Sequence, residues 1–365
     1  MTPAAHDDAS ASRPRQDQPA DVRRATCLIG WLGDAGELVL ENYLTGRRSA
    51  VDARVIPPLQ SLTDATPWPR AVERFRGLQD LLTQLLEQHV VLPVGGRLDR
   101  DESAVLDAWP WDRDAHYFHW STRRTAFTFD VSDERRMLLE RARTTPQPPA
   151  YTYYAGRPET VLPPAEPNDT TLANALSGRR TRRDFASQPM SLQDLATVLG
   201  VTWGVSSLRS DPGVGVVALK TSPSGGARHP TEAYCLPLRV TGLERGVYHY
   251  CAGRHSLSLI SRGVDEDIAL AALAGQSWAL DAAAVFFMTS VTRRSAWKYR
   301  QSHAYRVVLL DAGHLGQTFH LVCTALGLGP WTSAALDETQ AERLLALKDR
   351  SEIVVYTAAC GTARG

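Results

Sequence analysis

At 365 residues, 43% of them hydrophobic, the chain is long enough for one large or two modest domains with a full core. Acidic and basic residues balance at 40 each and no uninterrupted apolar run approaches ~18 residues, so neither nucleic acid, an anionic membrane surface nor a membrane span is signalled, and a cytoplasmic protein is the default expectation. The five cysteines (Cys27, Cys235, Cys251, Cys323 and Cys360) are scattered without a Cys-x-x-Cys, which argues against a disulfide framework or a zinc site.

Met1 to about Arg24 is polar, rich in Ala, Asp, Pro and Arg, and reads as a disordered lead rather than a signal peptide. From Glu37, the alternation of Leu38, Leu40, Asn42 and Leu44 predicts a strand. Arg47 to Arg54 reads as a polar turn, and Pro57-Pro58 as a break. Leu59 to Asp64 and Ala71 to Gln88 read as helices, the second with Val72, Phe75, Leu78, Leu82 and Leu85 on one stripe. Val90 to Leu92 and Gly95-Gly96 add a short strand and turn. Helices followed by a β-wing outline a small winged-helix-like α/β domain over 25–145, whose ordinary role is packing; balanced charge and the lack of a basic helix disfavour nucleic-acid binding. His116 and His119 lie three apart in an aromatic segment, but no third ligand accompanies them, so no metal site is expected.

Glu134 to Arg143 predicts a short charged helix, and the Pro-rich stretch 146–168 a linker or surface strap. Ser177 to Phe185 packs four arginines and a hydroxyl into a few residues, which suits a phosphate monoester. Pro189 to Gly200 is a helix capped by Ser191. Ser210 to Gly215 reads as a loop, and Val216 to Leu219 as a strand delivering Lys220 to the segment Thr221 to Tyr234. In that segment Gly225-Gly226 permit positive φ while Pro223 and Pro230 fix the flanks, so it is either an ordinary tight turn or a rigid wall for a planar cofactor. Its Arg228 and Glu232 either touch a substrate or pair with each other. Tyr234 to Val240, Gly246 to Cys251, Ser256 to Ile260, Ala282 to Val291 and Glu352 to Gly361 read as strands, and Asp265 to Ala274 as a helix. Helix 304–326 is apolar on most of its surface and needs cover from several sides, from a second copy or from its own chain. Only three lysines, Lys220, Lys298 and Lys348, stand among 37 arginines (40 minus 3). A lysine kept in such a chain suits chemistry that arginine cannot perform, and Lys298, followed by Tyr299, is the foremost candidate for proton transfer.

The arginine box, the Pro223-Ser-Gly-Gly226 loop running on through His229-Pro230, Glu232 and Tyr234, the Lys298-Tyr299 pair, and an Asp311-Ala-Gly-His314 helix ending in Gly327-Leu-Gly329 together resemble the flavin-dependent nitroreductase superfamily. Within it the likeness is to the SagB-type dehydrogenases, the azoline oxidases of thiazole and oxazole peptide biosynthesis. It covers the C-terminal half with strong motifs and the N-terminal part loosely. It implies an α+β fold in which a nitroreductase-like domain over 169–365, a mixed sheet flanked by helices, forms an intertwined homodimer. It implies FMN, with Arg179, Arg180, Thr181 and Arg183 on the phosphate and ribityl chain and Pro223, Ser224, Gly225, Gly226, Gly329 and Arg364 completing the cofactor site. Lys298 or Tyr299 would take a ring proton, and Arg228, His229 and Glu232 would face the substrate. The implied substrate is a modified precursor peptide, with O2 as electron acceptor, a cyclodehydratase complex as partner and the N-terminal part as a leader-peptide clamp. The aromatic segment around His116 would lie at a domain seam or line a substrate groove.

Two rival readings remain: an NAD(P)H-dependent flavin reductase, which leaves the first ~150 residues and the Lys-Tyr pair unexplained, and a non-catalytic scaffold. No Gly-x-Gly-x-x-Gly signals a Rossmann nicotinamide site. Pro330-Trp331 and the glycine-free Leu345 to Lys348 depart from the family pattern, and Trp331 is expected to reshape the flavin pocket.

Overall fold

The computed structural model describes residues 18–125 and 131–364, which fall into two compact units dividing between those ranges. The first unit opens with β1 (Asp21–Arg24), inside the stretch expected to be unstructured. β2 (Leu28–Leu32), β3 (Leu38–Asn42) and β4 (Arg47–Val51) then form an antiparallel meander, with Leu28 opposite Asn42 and Leu38 opposite Val51. Arg47 to Val51 is therefore a strand and not a turn; the turn is made one step earlier, where the Gly46 amide closes on the Asn42 carbonyl with φ at +75°. Pro57 and Pro58 start α1 (Ile56–Ser61) rather than stop the chain, because the first helical turn needs no N–H donors.

β5 (Thr66–Pro67) precedes α2 (Trp68–Arg74) and α3 (Gln79–Glu87). The single helix expected there is broken by Gly77 at φ +78°, a conformation a helix cannot hold. β6 (Val91–Pro93) and β5 flank β1 in a second antiparallel sheet, and Val22, Phe75, Leu82 and Val91 fill the core beneath it. α4 (Arg97–Ala108) is tied down by the fully buried Glu102, which accepts the amides of Thr26 and Cys27 and pairs with Arg23 at 2.6 Å. On α5 (Arg113–Thr122), His116 Nε2 lies 3.2 Å from the Trp109 carbonyl and the His119 ring sits 4.6 Å from that of Trp109, so both serve aromatic packing.

The second unit begins with α6 (Val131–Thr144), so the charged helix belongs here and not to the first unit. The Pro-rich stretch after it is more than a linker, since it supplies β7 (Glu159–Val161) to the main sheet. α7 (Leu172–Gly178) and α8 (Leu192–Trp203) follow, the latter capped by Ser191 Oγ accepting the Asp194 amide at 2.9 Å. β8 (Ser207–Asp211) and β9 (Gly215–Leu219) form a hairpin: β9 is the strand expected at Val216 to Leu219, and the loop expected from Ser210 shrinks to the turn after Asp211.

The remaining elements are β10 (Thr231–Pro237), β11 (Gly246–Cys251), β12 (Ser256–Arg262), α9 (Glu266–Ala272), β13 (Ala284–Val291), α10 (Thr292–Lys298), α11 (Ala304–Ala325), β14 (Gly329–Ser333), α12 (Glu338–Leu344) and β15 (Glu352–Gly361). The sheet runs β14-β15-β13-β10-β11-β12-β7, and every pairing in it is antiparallel, against the mixed sheet expected. β13 lies at its centre and shows why the sheet is covered on both sides. Ala284, Phe286 and Met288 point into a core with α8 and α11, while Val285 and Phe287 point into a second with α9 and α12. Trp331 is 1% exposed in that second core, so it packs the interior instead of shaping a pocket. Among the described residues no helix is long and apolar enough to cross a membrane, and no group of three His, Cys, Asp or Glu is placed to hold a metal.

Candidate active site

The loop between β9 and β10 is held by one face of α11. Ser224 Oγ donates to Asp311 Oδ2 at 2.6 Å and the Gly225 amide to Asp311 Oδ1 at 3.2 Å. One turn on, His314 Nδ1 lies 3.3 Å from the Pro223 carbonyl, and a turn further the Thr318 and Ser222 hydroxyls meet at 2.6 Å. Positions 311, 314 and 318 share a helix face, so a single element fixes the whole entry to the loop. Burial pushes the Asp311 carboxyl above its ordinary range, and the two donated hydrogen bonds hold it part-way back. The backbone then turns through positive φ at Gly226, Ala227 and His229.

That turn makes room for the Lys-Tyr pair at the end of α10. A Cβ on Gly226 would lie 2.6 Å from the Tyr299 hydroxyl and 2.8 Å from Lys298 Nζ. The missing side chain thus admits two protein groups, a close approach of a different kind from the flat ligand the sequence suggested. Lys298 Nζ lies 5.3 Å from the centroid of the Tyr299 ring. Both side chains open onto a cleft of about 140 Å³ walled on its far side by Glu134, Met137, Leu138 and Arg141 of α6.

Arg228, His229 and Glu232 are occupied inside the protein. Glu232 does not pair with Arg228; it binds Arg294 at 2.5 Å and His249 Nε2 at 3.0 Å, and accepts the Thr152 amide. Burial alone would raise the Glu232 carboxyl, but Arg294 and His249 hold it at about 2. Arg228 donates to the Gly226 carbonyl and to Gln147 Oε1 and lies over the Trp297 ring. His229 donates its amide to Ser224 Oγ, and burial beside Lys220, Arg228 and Arg294 brings its imidazole down to about 4. The Arg228 and Glu232 side chains and the His229 amide thus all hold contacts within the protein. Lys220 stands in the same neighbourhood, and desolvation, partly offset by Glu232, lowers it to about 8.

The arginine box occupies the other flank of α11. Gly178 faces Thr324, the Arg182 amide donates to the Pro330 carbonyl, and a Cβ on Gly329 would lie 2.9 Å from Arg182 Cγ. The chain end joins it through the Phe185–Ala363 bridge and the Arg364–Asp184 pair at 3.5 Å. Gly329 and Arg364 are thus brought to Arg179, Arg180, Thr181 and Arg183, whereas Pro223 to Gly226, Lys298 and Tyr299 gather on the opposite flank. Arg180 bonds the Ser177 and Arg179 carbonyls. Arg182 and Arg183 are exposed and, among the described residues, form no ion pair.

A model of the nitroreductase family matches residues 176–362, just over half of the chain, taking in the arginine box, the loop and β8 to β15. The chain belongs to the nitroreductase family. It is 32% identical over 192 residues to a Methanocaldococcus jannaschii protein described as a nitroreductase, a match covering 52% of this chain and 91% of that one. It is 33% identical over 132 residues to the trifolitoxin-processing protein of Rhizobium leguminosarum bv. trifolii, covering 35% of each. Among solved structures, a nitroreductase-type protein of Anabaena variabilis superposes with a TM-score of 0.52 at 23% identity, over 68% of this chain and 47% of that one, which supports the fold. Membership makes the protein a nitroreductase-superfamily oxidoreductase, and proteins of this family generally bind flavins.

Sequence reasoning located the loop, the Lys-Tyr pair and the box, but it missed the groups that set them. Asp311 was legible as part of a motif without a role. Arg294, which holds Glu232, and Gln147, which holds Arg228, carry no local signal, because their partners lie 62 and 81 residues away in sequence (294 minus 232, 228 minus 147).

Proposed function

We propose that this protein is a SagB-type, FMN-dependent dehydrogenase that oxidises azoline rings (thiazoline or oxazoline) to azoles in a ribosomally made, post-translationally modified peptide. The observation that carries this reading is the convergence of Lys298 Nζ and the Tyr299 hydroxyl at Gly226, a base candidate and a phenol set at one point of a rigid loop. The relationship to a protein named for trifolitoxin processing supports a peptide substrate.

The residues present fit FMN. Arg182 and Arg183 are exposed cations lacking a carboxylate partner among the described residues, beside Arg179, Arg180 and Thr181, and suit a phosphate. Bound FMN would supply a two-electron acceptor for the hydride leaving the ring carbon, with O2 as the proposed final electron acceptor. The chain's own residues manage the proton. The azoline Cα–H is acidified by the adjacent imine and carbonyl, and Lys298 or Tyr299 takes it as the ring becomes aromatic. Asp311, through Ser224 and Gly225, keeps the loop in place during this step. The proposed partners are the precursor peptide, a cyclodehydratase complex and a second copy of the chain, with the first unit holding the peptide leader.

Anaerobic mixing of the flavin-loaded protein with an azoline-containing peptide tests the reading. Bleaching of the flavin's visible band with loss of two hydrogens from the peptide is the expected result. Bleaching by NAD(P)H alone would move the protein to the reductase activity named for the archaeal relative. Lys298→Ala is expected to retain flavin and lower peptide-driven bleaching at least ~100-fold, the usual scale of a lost proton-transfer group.

A further inference from the structure

The family match begins at residue 176, yet one wall of the Lys298–Tyr299 cleft is built from residues before it. Glu134, Met137, Leu138 and Arg141 are spaced i, i+3, i+4 and i+7, so they form one stripe of α6 facing the cleft. The helix is held in that orientation from two sides. Arg141 donates to the carbonyls of Trp297 at 2.6 Å and Lys298 at 2.9 Å, the open C-terminal end of α10. On another face, Arg135 pairs with Asp211 at 2.6 Å and bonds the Pro212 carbonyl at the tip of the β8–β9 hairpin, where Leu139 packs against Gly213. The Trp297 indole adds a bond to the Thr145 carbonyl at the end of α6. Met137 is 54% exposed despite this anchoring, so the fold leaves an apolar side chain uncovered beside its proton-transfer pair. At about 140 Å³ the cleft is close in size to a cavity of ~150 Å³ that takes up a benzene ring.

We propose that α6 is a substrate-selecting wall added to the nitroreductase core: Met137 and Leu138 receive one aromatic or branched aliphatic side chain of the peptide residue next to the reacting ring. This rests on the dehydrogenase reading for the identity of the peptide, but not for the place where it lies.

Met137 provides its own reporter. Met190 and Met288 are 2% and 0% exposed, so mild peroxide oxidation read by peptide mass should mark Met137 and spare those two as internal controls. The probe is an azole product peptide, which undergoes no further oxidation, carrying leucine or glutamate beside the ring. On the flavin-loaded protein the leucine peptide is expected to slow Met137 oxidation at least ~5-fold and the glutamate peptide to leave it unchanged, as burial of one apolar side chain predicts. In turnover, Met137→Glu should raise KM for the leucine-bearing azoline peptide ~10-fold with kcat little changed, and Met137→Leu should restore it. If the peptide bleaches flavin while Met137 oxidation and the Met137→Glu kinetics stay as in the unligated and unmodified protein, the wall is overturned and the dehydrogenase stands. Protection without bleaching keeps the wall and removes the dehydrogenase reading. Neither protection nor bleaching overturns both.

Discussion

Glu232 shows how far one buried charge determines its surroundings. Its side chain is 3% exposed and that of Arg294 4%, so each ion is tolerated in the interior only because the other is there. Arg294 also donates to the carbonyls of Pro149 and His229, so the pair joins the Pro-rich strap, the loop and α10 at one point. Glu232→Gln removes the negative charge and leaves a buried guanidinium uncompensated, which is expected to destabilise the protein by ~3–5 kcal/mol at pH 7. The pH dependence has a definite sign. The carboxyl falls from 4.5 to about 2 on folding, so its contribution is complete above about pH 4.5 and disappears as pH falls towards 2. Thermal denaturation should therefore show the parent losing stability between pH 4.5 and 2 through this group, with the variant already low at neutrality and its own curve flatter there. Equal melting temperatures at pH 7 would remove the pair from the stability account.

At the scale of elements, the loop between β9 and β10 couples fold to chemistry through a single glycine. Gly226 sits at φ +60°, and an added Cβ would fall 2.6 Å from the Tyr299 hydroxyl and 2.8 Å from Lys298 Nζ. Gly226→Ala should cost only ~1–2 kcal/mol of stability, the price of one alanine in the left-handed region. Its effect on turnover should be greater, about 100-fold, because displacing a reacting group by an ångström is enough for that. A melting temperature near the parent's alongside normal peptide-driven bleaching would show that the pair does not depend on this contact. The same loop marks how far the sequence could be read. β13 and α8 were legible because a fully apolar run and a Ser191 cap are local signals. β4 was not, because Arg47 to Val51 is a largely polar edge strand whose identity comes from pairing with β3. α2 and α3 read as one helix because the apolar stripe continues in phase across the Gly77 break. The loop's composition announced a special backbone, but the groups it serves, Asp311 from α11 and Arg228 locked to Gln147, are contacts between distant segments. Local pattern carries no information about those.

For the whole molecule, α11 is the element on which the two halves of the candidate site meet. The loop is pinned at Asp311, His314 and Thr318, and the arginine box lies at Thr324 on the opposite flank. The helix buries Leu315, Phe319 and Cys323 against its own sheet, which answers part of the demand for cover. It leaves Leu309 and Leu310 at 42% and 61% exposure, and α7 adds Leu172 and Leu176. Exposed leucines on α7 and α11 are poorly suited to water, and with no net charge to hold copies apart, self-association is the expected outcome. A second copy covering this surface is the homodimer proposed above. Leu310→Arg places a charge in such an interface without touching the core, since position 310 makes no contribution to it. Sedimentation should show the parent at twice the mass of one chain and the variant at the mass of one chain, with an unchanged circular dichroism spectrum. If the cofactor site draws on both copies, flavin retention should fall with dimer content in a dilution series, and the variant should emerge colourless. A parent that sediments as a single chain and remains yellow would instead place the whole flavin site within one copy, with the two flanks of α11 serving separate ends of the same ligand.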